Sequence, residues 1–235
     1  IRFNGIWNRM SSRGKFLAWC EGDDYWVCPL KLQKQFNILN NNDEIGLCYT
    51  RATVFNQQTG LFQSDIALPY KGFNSMILRN PIAALTVMYR KKMYDDYMKD
   101  VNPIGKGWLT GDYPIWLWIA YNSKVHYINE STAVYRYLEN SASHSHGNIL
   151  KQKEFNESIR SIQMYYIDKF NLDQHYVDMV NDEFYRRIVY DGMINHDRLS
   201  CKENIKKIKH KKMRDIFRIP IFNSSYLFNF YVRKF

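Results

Sequence analysis

The sequence contains no run of apolar residues approaching the roughly eighteen that a membrane-spanning helix needs. It shows no secretory signal pattern and no internal repeat. Its four cysteines, Cys20, Cys28, Cys48 and Cys201, lack the spacing of metal ligands, and Cys20 and Cys48 lie within strand-like apolar runs. We therefore expect reduced thiols in the core of a cytosolic protein, and no metal site built from cysteines.

Positive charge is in excess and is unevenly spread along the chain. There are 33 Lys and Arg residues against 23 Asp and Glu, a formal net charge of +10. Between Lys202 and Arg218, eight of seventeen residues are basic and two are acidic, so this segment alone carries +6. Such a block favours an anionic surface, such as membrane lipid, nucleic acid or charged glycan. A solvated basic helix without a partner explains the block equally well.

An apolar run, Phe16–Cys20, has the length and aromatic content of a buried strand, and it ends abruptly in three acidic residues. These are Glu21, Asp23 and Asp24, with Gly22 among them to allow a tight bend. Buried carboxylates are costly unless they are paired or bind a metal, and hard divalent cations prefer oxygen ligands. The cluster therefore predicts a Mn²⁺ or Mg²⁺ site at a strand end, and a polar strand-to-helix turn is the alternative.

Apolar periodicity predicts an α/β organisation for residues 1–147 and helices alone for residues 148–235. In the first part, the pattern predicts strands at Phe16–Cys20, Ile45–Thr50, Ala83–Tyr89, Val125–Ile128 and Thr132–Tyr137. It predicts helices at Ile1–Arg13, after Pro29, at Phe73–Arg79, at Arg90–Asp100 and from Pro114 onward. The helix after Pro29 has an apolar stripe formed by Leu32, Phe36 and Leu39. Residues 56–72 are expected to form a surface loop.

The segment Gly14–Gln35 carries a longer pattern around the acidic turn, namely Glu21-Gly-Asp-Asp-Tyr-Trp26 followed by Pro29-Leu-Lys-Leu-Gln-Lys-Gln35. This pattern resembles the metal-binding core of family 2 glycosyltransferases of the GT-A fold, in particular the branch of bacterial capsule and lipopolysaccharide synthesis. The resemblance covers about residues 1–147 and starts partway through that fold, since nothing matches the family's Pro-Thr-Tyr-Asn-like strand for the nucleoside. It implies an α/β GT-A core that is incomplete at its amino end, in a fragment or in a product without its nucleoside pocket, followed by a helical appendage.

The resemblance also implies an inverting transfer of a sugar from a nucleotide diphosphate, with a UDP-sugar as the expected donor. It assigns Glu21 and Asp23 as ligands of Mn²⁺ or Mg²⁺, which neutralises the departing diphosphate. It assigns Asp112 as the general base that takes the proton of the acceptor hydroxyl. The family usually has a second acid directly before this base, where this chain has Gly111. Because Asp112 precedes an apolar helix, helix capping is the alternative role.

Weaker parts of the pattern add residues that each have an ordinary structural alternative. Donor binding is implied for a set of charged residues around the expected phosphates: Arg13, Lys15, Asp24, Arg136 and His144. Surface arginines and loop histidines without a ligand are common, however. Acceptor binding is implied for Trp26, Trp108 and Gly111, and the two tryptophans would stack on sugar rings unless they are packing anchors.

The expected partners are a nucleotide-sugar donor and a glycan or lipid-linked acceptor, in the cytoplasm or at the inner face of a bacterial membrane. Residues 202–235 combine the basic block with aromatic and aliphatic residues, which is typical of a segment that binds an anionic membrane surface. The alternative is that these aromatic residues pack back onto the helical appendage. A second functional hypothesis is a non-catalytic remnant that acts as an interaction or glycan-binding module. Nucleic-acid binding is suggested by charge alone, so we do not expect it.

Overall fold

The computed structural model describes residues 9–138 and 149–233. The chain divides into two compact units, residues 1–144 and residues 145–235. The boundary that we predicted after residue 147 falls outside the described residues. The first unit combines helices with strands, and the described part of the second unit is helical, so this is a mixed α/β protein.

In the described part of the first unit, six strands form one mixed sheet: β1 Phe16–Ala18, β2 Tyr25–Trp26, β3 Ile45–Asn56, β4 Leu61–Ile66, β5 Val87–Arg90 and β6 Lys124–Tyr137. The order across the sheet is β1-β5-β3-β6-β2, and β4 pairs with β3. β5 runs antiparallel to both β1 and β3, whereas β6 runs parallel to β3. β1, β3 and β6 therefore point the same way, which is the arrangement that gathers ligands at strand ends in open α/β sheets.

The sheet differs from the sequence prediction in several places. β3 continues to Asn56, beyond the predicted strand Ile45–Thr50. β6 joins the two predicted strands Val125–Ile128 and Thr132–Tyr137, and the pairing of β3 with β6 shifts register around Arg51. Residues 61–66 form β4 rather than a loop, and the hairpin turn before them contains Gly60 at a positive φ of 68°. β1 ends at Ala18 and is only half-buried, because it lies at the end of the strand order.

Besides the helical residues 9–11, the described first unit contains four α-helices: α1 Lys31–Asn41, α2 Phe73–Met76, α3 Lys91–Val101 and α4 Tyr113–Asn122. A 3₁₀ turn at Ala84–Thr86 occupies the first half of the predicted strand Ala83–Tyr89, so only its second half enters β5. The helix predicted from Pro114 is α4, and Pro114 lies in its first turn.

Helix α4 packs on one face of the sheet and is buried from Tyr113 to Ala120. The ring of Trp116 meets that of Tyr89 on β5 edge-to-face, with 5.2 Å between centroids. Gly46 on β3 permits the close approach, because a Cβ at this position would lie 2.1 Å from the Oγ of Ser123. The packing of α4 therefore depends on a missing side chain in β3.

Helix α1 covers the opposite face of the sheet, and its apolar stripe is not its buried face. The buried residues are Lys31, Gln35 and Leu39, whereas Leu32 and Phe36 are 39% and 41% exposed. The sequence prediction was therefore right for Leu39 and wrong for the rest of the stripe.

Hydrogen bonds explain why two polar side chains lie under α1. The Nε2 of Gln35 donates to the carbonyl oxygens of Cys48 at 3.0 Å and Thr86 at 2.8 Å. Its Oε1 accepts from the Nζ of Lys31 at 2.8 Å, and this ammonium lies 4.5 Å from the ring centroid of Trp26. Buried backbone carbonyls need donors, and Gln35 supplies them from the helix to one carbonyl of β3 and one of the 3₁₀ turn.

The described part of the second unit contains five helices: α5 Ile149–Lys169, α6 Gln174–Ile194, α7 Arg198–Lys207, α8 Met213–Asn223 and α9 Ser225–Val232. Buried side chains of its last four helices and the loop after α7 form an apolar core: Val189, Met193, Cys201, Ile205, Ile208, Phe222, Phe228 and Val232. Arg186 of α6 donates from Nε to Asp215 of α8 at 2.9 Å, and both side chains are buried. Among the described helices, none is long and apolar enough to cross a membrane.

Replacing Gly46 with Ala is expected to destabilise the protein by about 1–3 kcal/mol, because the added methyl group would overlap Ser123 and force α4 away from β3. Urea unfolding would measure the free energy of unfolding. Gly22→Ala is the matched control, because a Cβ at Gly22 would meet no atom within 4 Å. Equal losses of stability in the two variants would contradict the close approach.

Burial lowers the pKa of Lys31 to about 8, below the value of an exposed lysine. Between the two values the unfolded chain binds more protons than the folded protein, so this residue makes stability rise with pH, by up to about 1.4 kcal/mol per unit. We expect Lys31→Met to remove that rise, when urea unfolding is compared for both proteins at several pH values from about 7.5 to 10.5. Parallel pH profiles for the two proteins would contradict the burial of a charged lysine.

Candidate active site

The acidic turn connects the two ends of the strand order. β1 ends at Ala18, and β2 begins at Tyr25 on the far side of the sheet, where it pairs with β6. Residues 19–24 therefore run from one edge of the sheet to the opposite edge. Within this crossing, the backbone N–H of Asp24 donates to the carbonyl of Glu21 at 3.1 Å, which closes the bend that the sequence predicted.

Glu21, Asp23 and Asp24 form a carboxylate cluster at this bend. One oxygen from each side chain lies within 4.8 Å of the other two. Glu21 and Asp23 are exposed to solvent, and Asp24 is half-buried. Carboxylates this close disfavour each other's charge, and a divalent cation with oxygen ligands offsets the repulsion. All three donors are hard oxygens, which fit Mn²⁺ or Mg²⁺ rather than a thiolate-seeking metal.

Two carboxyl groups of this cluster, Glu21 and Asp24, have raised pKa values. For Glu21, crowding by protein atoms that displace water is the main cause, followed by the negative charges of Asp112 and Asp23. The same crowding raises the pKa of Asp24 to about 6, although a backbone hydrogen bond from Arg136 opposes the rise. A proton therefore competes with a cation for Asp24 below about pH 6.

Asp112 lies close enough to Glu21 for its charge to act on the same cluster, despite their separation in sequence. Asp112 is also the N-cap of α4: its Oδ1 accepts from the backbone N–H of Tyr113 at 2.7 Å and from the hydroxyl of Thr110. The structure therefore shows the capping contacts of Asp112, and its role as a general base stays a prediction. Thr110 was missed by the sequence interpretation, although a threonine two residues before an N-cap aspartate is a usable signal.

Arg136 reaches the acidic turn through its backbone rather than through its guanidinium. Its N–H donates to the Oδ1 of Asp24 at 2.9 Å, which ties the turn to β6. The guanidinium donates from Nε and Nη2 to the Oε1 of Gln57, at 3.2 and 3.0 Å. This cation also lowers the pKa of Asp24, but as a smaller effect than the burial. A ligand phosphate at Arg136 would have to share the guanidinium with Gln57.

Arg9 is a cation near the cluster that the sequence interpretation did not select. Its guanidinium lies 3.8 Å from the ring centroid of Trp19, and the residue is 8% exposed. Its charge lowers the pKa of Glu21, against the effect of burial. No motif marks Arg9, and only the fold brings the helical residues 9–11 beside the turn.

Two other predicted donor-binding cations, Lys15 and Arg13, are not brought to the cluster. Lys15 precedes β1, at the opposite end from the acidic turn, and its Nζ donates to the Oδ1 of Asn40 at 3.5 Å. Arg13 is exposed ahead of the same strand. His144 lies outside the described residues, so its predicted role stays a prediction.

The two predicted acceptor-stacking tryptophans are engaged within the fold. Trp26 donates from Nε1 to the carbonyl of Leu85 at 2.8 Å and faces the ammonium of Lys31. Trp108 is 2% exposed, which leaves no ring face for a sugar, so the packing alternative describes it. Gly111 lies next to Asp112 at the start of α4 and is half-buried, so it remains near the cluster without a side chain to contribute.

Comparison with known proteins adds relatives but no activity. No family model matches the chain. Over 141 residues, 58% of the chain, it is 31% identical to the uncharacterized proteins Rv1520 of Mycobacterium tuberculosis and Mb1547 of Mycobacterium bovis. The matched region is 37% of each of those proteins. The chain therefore spans a little over a third of the length of the curated relatives that it matches.

Proposed function

We propose that this chain carries the metal-binding and catalytic core of an inverting, nucleotide-sugar glycosyltransferase of the GT-A type. The observation that carries the proposal is the carboxylate cluster of Glu21, Asp23 and Asp24 at a strand end, with the charge of Asp112 acting on it. The parallel direction of β1, β3 and β6, with acids directly after β1, agrees with such a core. A UDP-sugar is the proposed donor, and a glycan or lipid-linked acceptor in bacterial surface polysaccharide synthesis is the proposed acceptor.

The residues divide the chemistry between them. Glu21 and Asp23 would hold Mn²⁺ or Mg²⁺ from the solvent side, with Asp24 fixed behind them by Arg136. A bound cation would neutralise the negative charge that develops on the departing nucleoside diphosphate. The carboxylate of Asp112 accepts the proton of the acceptor hydroxyl, while the oxygen of that hydroxyl forms a bond to the anomeric carbon of the sugar. The bond from that carbon to the diphosphate breaks on the opposite side, so the configuration inverts.

Support for Asp112 as the base comes from its environment. Its carboxylate is half-exposed, so it can reach a substrate, and its orientation is fixed by the Tyr113 amide and the Thr110 hydroxyl. A general base must be held within hydrogen-bond reach of the proton that it takes, and a helix N-cap is a rigid mount. Arg9, buried against Trp19, contributes a positive charge near Glu21 that suits a phosphate-bearing substrate.

A non-catalytic remnant that binds glycans or another protein is the second candidate. The observation that favours it is that Asp112 accepts hydrogen bonds from the N–H of Tyr113 at the helix start and from the neighbouring Thr110 hydroxyl, contacts that need no reaction. The two candidates differ in donor affinity. Metal binding combined with binding of a UDP-sugar supports the transferase, whereas metal binding without donor affinity supports the remnant.

Calorimetric titration of Mn²⁺ at pH 7 should show one site, and Asp23→Ala should weaken it by about tenfold or more, because a charged ligand is lost. Affinity should also fall between pH 7 and pH 5, because a proton occupies Asp24 below its pKa of about 6. The matched control is Asp43→Ala, which removes a highly exposed carboxylate elsewhere in the same unit. Equal Mn²⁺ affinity in the wild type and Asp23→Ala would rule out this metal assignment.

Asp112→Asn should separate catalysis from capping. Asn is as good an N-cap as Asp, so the free energy of unfolding should change by less than about 0.5 kcal/mol. An amide cannot accept a proton from the acceptor, so kcat for sugar transfer from a UDP-sugar should fall by roughly 10² or more with little change in KM. Asp173→Asn at the N-cap of α6 is the control and should leave both quantities unchanged. Unaltered kcat in Asp112→Asn would leave capping as the role of this residue.

A further inference from the structure

Helix α8 has two apolar faces, and only one of them is used by the core of the second unit. Phe222 is buried and Ile219 packs against the same core. On the other side, Met213, Ile216, Phe217 and Pro220 are all exposed, the first three by 66%, 49% and 65%. Their spacing of three, four and seven residues places them on one face of the helix, which we call the apolar face. Four adjacent exposed apolar residues on one helix face indicate a surface that meets something other than water.

Helix α9 shows the same division. Phe228 and Val232 are buried, and the rings of Phe222 and Phe228 pack with 5.8 Å between centroids. In contrast, three apolar residues of α9 are exposed by 79%, 44% and 61%: Tyr226, Leu227 and Phe230. The expectation that the aromatic tail packs back onto the helices therefore holds for part of it only. The remaining aromatic residues face solvent.

A cavity of about 200 Å³ borders the apolar face, and cations surround it. Lys202 and Lys206 reach it from α7, and Lys211 reaches it from the loop before α8. Ile205, Ile219 and Phe222 supply its apolar lining. On α8, the lining residues Ile219 and Asn223 each follow a member of the apolar face by three residues, so the cavity and that face adjoin on the helix surface.

The three cavity lysines are not neutralised in the way that their neighbours are. Lys209 and Lys212 form ion pairs with Asp178 and Glu183. Within residues 9–138 and 149–233, no carboxylate pairs with Lys202, Lys206 or Lys211, and the Nζ of Lys211 donates to the carbonyl of Ile208. Three cations around one apolar-lined cavity repel one another, and an anion would relieve that repulsion.

We propose that the surface of α7, α8 and α9 docks on a bilayer that contains anionic phospholipid. A lipid phosphate occupies the cavity among Lys202, Lys206 and Lys211. The apolar face of α8 and the exposed aromatic residues of α9 enter the boundary between headgroups and acyl chains. Cations beside exposed Met, Ile, Phe and Tyr side chains match both parts of a bilayer surface, whereas nucleic acid would match the charge alone. The proposal is independent of the metal site and of sugar transfer.

The experiment is co-sedimentation of the whole protein with vesicles of phosphatidylcholine alone or with about 30% phosphatidylglycerol. Binding is expected with phosphatidylglycerol only, and it should fall steeply between about 0.1 M and 0.5 M salt, because screening weakens lysine–phosphate attraction. The double variant Lys202→Gln/Lys206→Gln should bind about 25-fold more weakly, at roughly fivefold per lysine near such a surface. Ile216→Ser/Phe217→Ser should bind at least about tenfold more weakly while keeping its helical circular dichroism, since both residues are exposed.

Matched controls test whether vesicle binding depends on this surface or on any exposed lysine or apolar residue of the protein. Lys151→Gln/Lys153→Gln removes two exposed lysines from α5, and Leu61→Ser/Phe62→Ser removes two exposed apolar residues from β4. Both controls should bind like the wild type. The proposal fails if either control loses as much binding as its test variant, or if neutral and anionic vesicles bind equally. Absence of binding to either vesicle also overturns it, and an acidic protein partner would then be the better occupant.

Discussion

The parallel pairing of β3 with β6 is the interaction on which the rest of the first unit depends. These two long strands carry β5 and β4 on one side and β2 on the other, so every other strand is placed by reference to them. The acidic turn is attached to the same ribbon, because β2 pairs with β6 and the N–H of Arg136 on β6 binds Asp24. Parallel pairs need long connections, so this ribbon forms only when residues far apart in sequence come together.

A different helix covers each face of the β3–β6 strand pair, and the two helices are held by different interactions. On one face, the wholly apolar helix α4 lies against Gly46, where a missing side chain lets backbone and helix approach. On the other face, α1 supplies Gln35, which satisfies backbone carbonyls, and Lys31, which holds Gln35 and faces Trp26. A buried lysine with a lowered pKa is costly to the fold. It lies at the first residue of α1, where its hydrogen bond to Gln35 offsets part of that cost.

Electrostatics distinguish the two units. In the first, crowding by protein atoms and then the negative charges of Asp112 and Asp23 raise the pKa of Glu21. In the second, buried Arg186 and Asp215 neutralise each other inside the helical unit, and the surplus positive charge lies on the surface of α7 and the following loop. Surface charge does little for the fold, so this concentration of lysines beside exposed apolar residues is not a source of stability for the helical unit.

The sequence by itself determined the features that depend on neighbouring residues. The acidic bend after an apolar strand, the wholly apolar helix with Pro114 in its first turn, and the cap at Asp112 all follow from local patterns. Four of the six strands in the described first unit and the helices that follow Pro29 were predicted from the sequence, whereas β2 and β4 were not. The carboxylates of Glu21 and Asp23, which the sequence predicted to share one site, do lie together.

Only the tertiary structure decided which residues gather at the site and which faces are buried. Leu32 and Phe36 give α1 its apolar stripe, yet the backbone carbonyls beneath the helix select Gln35 and Lys31, because buried hydrogen-bonding groups must be satisfied. Arg9 is an added candidate because the fold places it beside Trp19, and Trp108 is no longer a candidate because it is buried. Chain segments remote in sequence determine both outcomes. The same holds for α8, where packing against Phe228 buries Phe222, whereas Ile216 and Phe217 stay exposed to solvent.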